Sequence, residues 1–189
     1  MPQIRIFRPG ENADDIFRFR YKIYEEEMRR NDSYADHERY TISDPLDEFS
    51  YNIIAYEGAE TVGVVRVTFC ADGDPGFYRE FFDLDGVGAD YPEKVTFSTR
   101  LMVDPKKRRG MLPVMLSAEC FKLAIERNTI WSFCDCNPPL VPFFERLHFE
   151  SQGTKHHPTY GEVVIMRINL ENPEIYNKKK SIIARFLDC

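Results

Sequence analysis

The stretch Val103–Leu116 reads VDPKKRRGMLPVML and joins two regular elements. An apolar run ends at Val103, Asp104-Pro105 interrupts it, and a helical apolar spacing begins at Leu112. This pattern predicts a strand, a turn and then a helix. Residues 106–109 are all basic and occupy the turn, where the helix N-terminus presents free N–H groups and a partial positive charge. The turn therefore predicts a phosphate or pyrophosphate site, although a charged run can also be an ordinary solvated face.

Composition limits the kind of protein that carries this turn. The chain has 189 residues with 25 basic and 31 acidic side chains, a net charge of −6. At about 150 residues per domain this length predicts one main domain, and the negative charge argues against a general nucleic-acid binder. The chain carries no long apolar segment and its first residues lack a signal-peptide pattern, so we expect a cytoplasmic protein without a membrane anchor.

Five cysteines are an odd number in a chain of this size, and we expect reduced thiols. Cys134 and Cys136 could share a metal ion with His156 and His157, but one Cys-x-Cys pair is weak support for a metal site. Alternation along a buried strand explains the pair better. We therefore expect no metal.

The hydrophobic periodicity predicts a central sheet with helices on its faces and a hairpin that makes the sheet mixed. We expect a long loop over 30–50 and a second loop that contains His156 and His157. The predicted strands cover 3–8, 51–56, 61–69, 95–103, 130–134 and 162–168, and the predicted helices start near 14 and cover 78–82, 112–127, 141–147 and 173–187. This order predicts a domain over 1–170 and a basic, amphipathic helical extension over 171–189.

Two segments carry a resemblance to a known superfamily. Val103–Leu116 resembles the pyrophosphate-binding turn of the GNAT acyltransferases, and NPPLVPFFERLHF at Asn137–Phe149 resembles their Asn-x-x-Ala-x-x-Phe-Tyr-Glu-Lys-Leu-Gly-Phe segment. The resemblance implies a GNAT-like α/β (α+β) fold. In that fold the fourth and fifth strands, here 95–103 and 130–134, splay apart and admit the pantetheine arm of a thioester.

The resemblance also assigns residues to the acyl-thioester donor, which would be acyl-CoA or an acyl-phosphopantetheine carrier protein. The implied donor-binding residues are Leu101, Met102, Val103, Arg108, Arg109, Gly110, Met111, Leu112, Asn137 and Phe144. Backbone N–H groups at 101–103 would bind the arm and the oxyanion. Arg109, Met111 and Pro113 replace the glycines of the family's turn, which favours the carrier protein over CoA as the donor. Phe144 replaces the tyrosine that usually protonates the thiolate, and Tyr160 could substitute.

The N-terminal half is similar to one branch of the superfamily. Phe17–Met28, Asp44-Pro45-Leu46-Asp47, Gly63–Arg66 and Ser98-Thr99-Arg100 resemble motifs shared by acyl-homoserine-lactone synthases and long-chain N-acyl amino acid synthases. Phe97 stands where the lactone synthases carry a glutamate, so the N-acyl amino acid synthases are the better match. Positions that match the branch motifs are Arg20, Asp44, Asp47, Arg66, Thr99 and Arg100.

The resemblance implies roles for these side chains. We expect Asp47 to be the general base, directly or through water, with Asp44 as the second choice. Arg66 and Arg100 lie on strands expected to be central and need acidic partners. The expected catalytic group is Asp47, Asp44, Arg66, Arg100 and Thr99, and the expected substrate-binding group is Arg20, Tyr24, Cys136 and His156. The plainer alternatives are a turn at Asp44–Asp47, a structural ion-pair network, a buried structural cysteine and a solvated histidine.

Together the residues and the resemblance predict an N-acyltransferase. It would move an acyl group from an acyl carrier protein or CoA thioester to a small-molecule amine by direct attack. Two alternatives stay open: a non-catalytic acyl-thioester-binding or regulatory domain, and an ordinary acetyl-CoA-dependent N-acetyltransferase.

Overall fold

A computed structural model describes residues 2–187 of the chain. Residues 188 and 189, which end the predicted extension and include Cys189, lie outside these described residues. Within them, seven strands form one mixed sheet. The strands are β1 (Gln3–Phe7), β4 (Tyr51–Glu57), β5 (Glu60–Phe69), β6 (Val95–Val103), β7 (Trp131–Cys136), β8 (Glu150–His157) and β9 (Gly161–Asn169). Their order across the sheet is β1-β4-β5-β6-β7-β9-β8.

Helices cover both faces of the sheet, which confirms the mixed α/β prediction. On one face lie α1 (Asp14–Tyr21), continued by a π-type turn at Lys22–Glu27, and the short α2 (Phe77–Phe81). On the other face lie α3 (Leu112–Glu126) and α4 (Val141–Glu145). A Cβ atom at Gly63 would come within 2.8 Å of the Leu116 side chain, so glycine on β5 permits the close approach of α3.

The strands β6 and β7 separate along their length. They pair in parallel from Val95↔Trp131 to Ser98↔Cys134, and no pairing continues beyond those residues in the described structure. All other neighbouring strands in the sheet are antiparallel. The predicted splay of the fourth and fifth main strands is therefore present, and it leaves the end of β6 with an open edge towards β7.

The predicted loop over 30–50 has more structure than its polar composition suggested. It contains a short antiparallel pair, β2 (Ala35–Asp36) with β3 (Thr41–Ile42), and a 3₁₀ turn at Pro45–Glu48. Ile42 is fully buried against α1, so this segment is packed on the sheet.

Two predictions about secondary structure are wrong. The segment with His156 and His157 is strand β8, which pairs with β9 in a hairpin. The strand lacks hydrophobic alternation, because every residue from Glu150 to His156 is exposed and neither face of the strand is buried there. The helix expected over 173–187 is two 3₁₀ turns, Pro173–Tyr176 and Ile183–Arg185. The segment between the two turns is polar and has too few apolar residues to bury a continuous helical face.

None of the helices in residues 2–187 is long and apolar enough to cross a membrane.

The C-terminal segment contributes to the core. Ile175 and Ile183 are fully buried in the cluster formed by α3, α4 and β9. We predict that Ile183→Ala lowers the free energy of unfolding by about 2–5 kcal/mol, because it leaves a cavity in a packed core. Urea denaturation measures the loss. Lys179→Ala, an exposed change in the same segment, is the control, and equal stability of the two variants would contradict the packing.

Candidate active site

The centre of the candidate site is a buried set of ion pairs. On α1, Arg20 donates from Nη1 to Asp47 Oδ2 at 2.8 Å and from Nη2 to Asp47 Oδ1 at 3.0 Å. Its Nη2 also donates to Asn52 Oδ1 at 2.5 Å. The Arg20 side chain is fully buried, so this two-point pair compensates a charge that has lost its water.

Two strand arginines extend the network. Arg66 on β5 donates from Nη1 to Asp44 Oδ1 at 2.5 Å and from Nε to Thr99 Oγ1 at 3.0 Å. Arg100 on β6 donates from Nη2 to the other oxygen of Asp44 at 2.7 Å and lies 3.3 Å from Asp32 Oδ2. Asp44 therefore joins two strands through its two carboxylate oxygens.

The turn at Asp44–Asp47 presents both carboxylates to these arginines. The Asp44 side chain accepts a hydrogen bond from Leu46 N–H, and the Asp47 side chain accepts one from Asp44 N–H. This reciprocal capping box fixes the turn. The aspartates thus form the local turn and pair with the buried arginines at the same time.

Burial alone would raise the pKa of Asp47, but the charges of Arg20 and Arg66 outweigh it and hold that pKa well below its usual range. The pKa of Asp44 is lowered for the same reason, by Arg66 and Arg100. Both Asp47 oxygens are occupied by hydrogen bonds. The network therefore holds fixed anions and leaves Asp47 little capacity to accept a proton.

Arg100 has an unusual backbone conformation. Its φ is +57°, in the left-handed region, and the pairing of β5 with β6 shifts register between Val64 and Arg66. Such a bulge turns a side chain out of the regular strand alternation. Arg100 thereby reaches the acidic network, and β6 bends where it separates from β7.

A cavity of about 540 Å³ runs through the opening between β6 and β7. Towards α3 and α4 its wall is apolar. Residues of this wall include Phe121, Ala124, Cys134, Phe144, Phe149 and Leu170. The volume and the apolar wall with few polar groups are typical of a small-molecule site.

The opposite mouth of the cavity is polar and aromatic. Its residues include Tyr24, Arg30, Tyr78, Arg100, Asp135 and Tyr160. The Arg30 guanidinium lies 4.9 Å from the centre of the Tyr24 ring and 4.5 Å from that of Tyr160. It forms no salt bridge with any residue in the part of the chain that the structure describes. The cavity thus joins a charged mouth to an apolar interior.

The basic turn lies beside this mouth but is partly neutralised. Lys107 pairs with Glu57, and Arg108 pairs with Glu27 and donates from Nε to the carbonyl oxygen of Val103. Lys106 and Arg109 are exposed and form no salt bridge with the described residues. No side chain caps the start of α3, and Pro113 in its first turn has no N–H to donate.

Comparison with known proteins identifies the family. The family of the N-acyl amino acid synthase FeeM matches residues 15–169. This chain belongs to that family. It is therefore an acyltransferase. No curated protein sequence matches the chain.

Solved structures show the same fold at low sequence identity. The structure of BjaI, a CoA-dependent acyl-homoserine lactone synthase with SAM and isopentyl-CoA, has a TM-score of 0.74 at 16% identity. The alignment covers 93% of this chain and 86% of that one. FeeM, from uncultured soil microbes, has a TM-score of 0.66 at 14% identity over 99% and 100% of the two chains. ElaA of Escherichia coli has a TM-score of 0.62 at 12% identity over 88% and 99%.

In this FeeM-family chain the residues expected at the site divide between two places. Arg20, Asp44, Asp47 and Arg66 belong to the network and do not line the cavity. Thr99 and Arg100 belong to both. The cavity wall also includes Tyr24, Leu101, Met102, Val103, Arg108, Asn137, Phe144 and Cys136. The network therefore lies next to the cavity wall, and Thr99 and Arg100 connect the two.

Other expected residues lie away from the cavity. Arg109, Gly110 and Met111 are exposed on the turn before α3, and Leu112 is buried in the core beneath it. His156 is exposed on β8 and takes no part in the cavity. Its neighbour His157 is buried instead, stacked on Tyr160 with ring centres 4.0 Å apart.

Several residues of the site were missed in the sequence. Asp32 pairs with Arg100 from within the predicted loop, and Asn52 joins Arg20 to Asp47. Arg30, Tyr78 and Asp135 line the mouth. A charged residue on an otherwise apolar strand was the available signal for Asp135.

The cavity cysteines are poorly suited to nucleophilic catalysis. Burial raises the pKa of the Cys136 thiol to about 12 and that of Cys134 well above its ordinary value. The thiolate is the reactive form, and these environments disfavour it. Within residues 2–187, no three His, Cys, Asp or Glu side chains are arranged to hold a metal ion.

We predict that Asp47→Asn lowers the free energy of unfolding by about 3–5 kcal/mol at pH 7, because Arg20 then lacks its buried counter-charge. The folded pKa of Asp47 is depressed, so its contribution is present above the unfolded pKa of about 3.9. The difference between wild type and variant should shrink as pH falls below that value.

Denaturant titrations between pH 7 and pH 3 measure this difference. Asp85→Asn breaks an exposed ion pair with Arg79 and is the control, with little expected change. Equal stability of the Asp47 and Asp85 variants at pH 7 would show that the network is not needed for stability.

Proposed function

We propose that the protein transfers an acyl group from a pantetheine thioester to the amino group of a small acceptor, an amino acid in particular. The observation that carries this proposal is the cavity between β6 and β7, which has an apolar interior and a polar mouth. An extended thioester arm fits an opening between two strands, because unpaired strand edges offer hydrogen bonds to its amide groups.

The apolar interior is suited to the acyl chain. Aromatic and aliphatic side chains from α3 and α4, together with Phe149 and Leu170, surround it, and burial of apolar surface is worth about 25 cal/mol per Å². A wall of this kind stabilises a fatty chain more than an acetyl group. We therefore propose a long-chain donor.

The turn at 104–111 is suited to the phosphate of the donor. Lys106 and Arg109 retain free positive charges, and the N-terminus of α3 adds its dipole. Large side chains at 109 and 111 stand where close backbone contact with pyrophosphate would occur. We propose that an acyl carrier protein docks here, with acyl-CoA as the second candidate donor.

The chemistry needs a stabilised oxyanion and an ordered acceptor. The open edge of β6 offers backbone N–H groups to the thioester oxygen, which develops negative charge as the amine attacks. The ion-pair network holds β5, β6 and the 30–50 segment in fixed relation to that edge. We propose that Asp44, Asp47, Arg20 and Arg66 act as positioning residues.

Arg30 is the proposed site for the acceptor's carboxylate. Its guanidinium is held between two tyrosine rings at the mouth and lacks an acidic partner among the described residues. An arginine in this state binds a planar carboxylate by two parallel hydrogen bonds. The name of the family, N-acyl amino acid synthase, agrees with such an acceptor.

For the donor, we predict thiol release with a long acyl thioester on carrier protein or CoA in the presence of amino acids. Lys106→Glu with Arg109→Glu should raise the KM for the donor, and this effect should weaken at high salt because the contacts are electrostatic. Lys178→Glu with Lys179→Glu, in the C-terminal segment, is the charge-matched control. Thiol release with acetyl-CoA but with no longer donor would favour the ordinary acetyltransferase. Absence of thiol release with every donor tested would refute the proposal.

For the acceptor, we predict that Arg30→Gln raises the KM for an amino acid about 10- to 100-fold, since a hydrogen bond to a charged group contributes about 1.5–3 kcal/mol. The corresponding amino acid amide lacks the carboxylate, so its KM should not change. Arg29→Gln removes the adjacent exposed cation and is the matched control. Equal effects on acid and amide would contradict the assignment.

A further inference from the structure

Asp135 is an acidic side chain at the point where the two central strands part. It follows Cys134, the last β7 residue paired with β6, and lines the cavity. It shares a face of the sheet with Phe133 and Ile165, so its side chain projects towards the polar mouth, away from the α3 side. A thioester carbon held between β6 and β7 would therefore lie next to this carboxyl group.

Few charges surround Asp135. The groups that interact with it electrostatically are Arg30 across the mouth, Tyr78 on α2, and the thiols of Cys134 and Cys136 on its own strand. Asp135 forms no salt bridge with any described residue. It contrasts with Asp44 and Asp47, whose oxygens are held by arginines.

Resting on the proposed acyl transfer, we propose that Asp135 binds the acceptor's amino group and accepts its proton. Arg30 and Asp135 interact across the mouth without pairing directly, and an amino acid has its opposite charges on neighbouring groups. An acceptor placed with its carboxylate on Arg30 would direct its ammonium group towards Asp135 and its nitrogen towards the β6–β7 opening. The two charges of the mouth would then be satisfied by the two charges of one ligand.

The proton and electron balance is complete without another reagent. The Asp135 carboxylate takes one proton from the ammonium group, and the freed nitrogen lone pair attacks the thioester carbon. The new C–N bond forms and the C–S bond breaks with its electron pair on sulfur. A second nitrogen proton passes to the departing sulfur to give the thiol, and the proton on Asp135 returns to solvent. This route needs no tyrosine at position 144.

The protonation state of Asp135 agrees with this role. Burial raises its pKa to about 6, and only the charge of Arg30 and the backbone oppose that shift. At pH 7 the group is mostly a carboxylate, and its basicity is higher than that of an exposed aspartate. His157 is a weaker candidate base, because burial and Arg30 lower its pKa to about 4 and it stacks beneath Tyr160.

The test compares Asp135→Asn with wild type in thiol-release assays across pH 5–9. Removal of a general base should lower kcat about 10²- to 10⁴-fold. Wild-type kcat/KM should fall as pH drops below about 6, where Asp135 is protonated, and the variant should lack this decline. Affinity for the acyl thioester, measured by titration, should be unchanged, which separates lost chemistry from lost folding.

Two further variants sharpen the result. Asp135→Glu keeps the carboxylate and should recover part of the rate together with the decline at low pH. Asp74→Asn, on an exposed turn away from the cavity, should behave as wild type. If the wild type is active and Asp135→Asn retains the same rate and pH profile, the role of Asp135 is refuted and the proposed function is not. A wild type inactive with every donor and acceptor overturns the proposed function, and the role of Asp135 with it.

Discussion

The constraint on which this structure depends is the compensation of three buried arginines. Arg20, Arg66 and Arg100 lie beneath the 30–50 segment, where an unpaired guanidinium would carry a large desolvation cost. Asp32, Asp44 and Asp47 provide three opposing charges from that same segment. A polar stretch with few apolar side chains is thereby held on the sheet by charge. This explains how a segment with little hydrophobic content can form the rigid back of a cavity.

The same network lies next to the opening of the sheet. Arg100, which pairs with Asp44, has a left-handed backbone conformation at a β-bulge. The bulge lies next to the last residues at which β6 and β7 pair. The strand that anchors the network is therefore the strand that bends away from its neighbour, and the cavity starts at that point. Because Arg100 belongs both to the network and to the cavity wall, the ion pairs and the shape of the cavity are coupled.

Local patterns in the sequence predicted the main elements well. The strand–turn–helix at 95–127 and the splay of its strand from β7 appear where the periodicity and motifs placed them. Edge strand β8 was missed because its exposed residues lack a hydrophobic pattern. Asp44 and Asp47 were assigned through motif resemblance, yet their saturation by arginines is a property of three-dimensional pairing. Neither spacing nor composition reports how many donors a carboxylate receives.

Two buried aspartates show why that difference matters for chemistry. Burial acts on Asp47 and Asp135 in the same direction, since removal of water disfavours the charged form of both. Arginines in direct contact reverse the effect at Asp47, whereas at Asp135 the cation is across the mouth and the effect persists. The first group is then a permanent anion suited to holding elements together, and the second is a carboxylate poised to exchange a proton. A fold that concentrates its arginines on one group of acids leaves Asp135 without a direct counter-charge, as its proposed role requires.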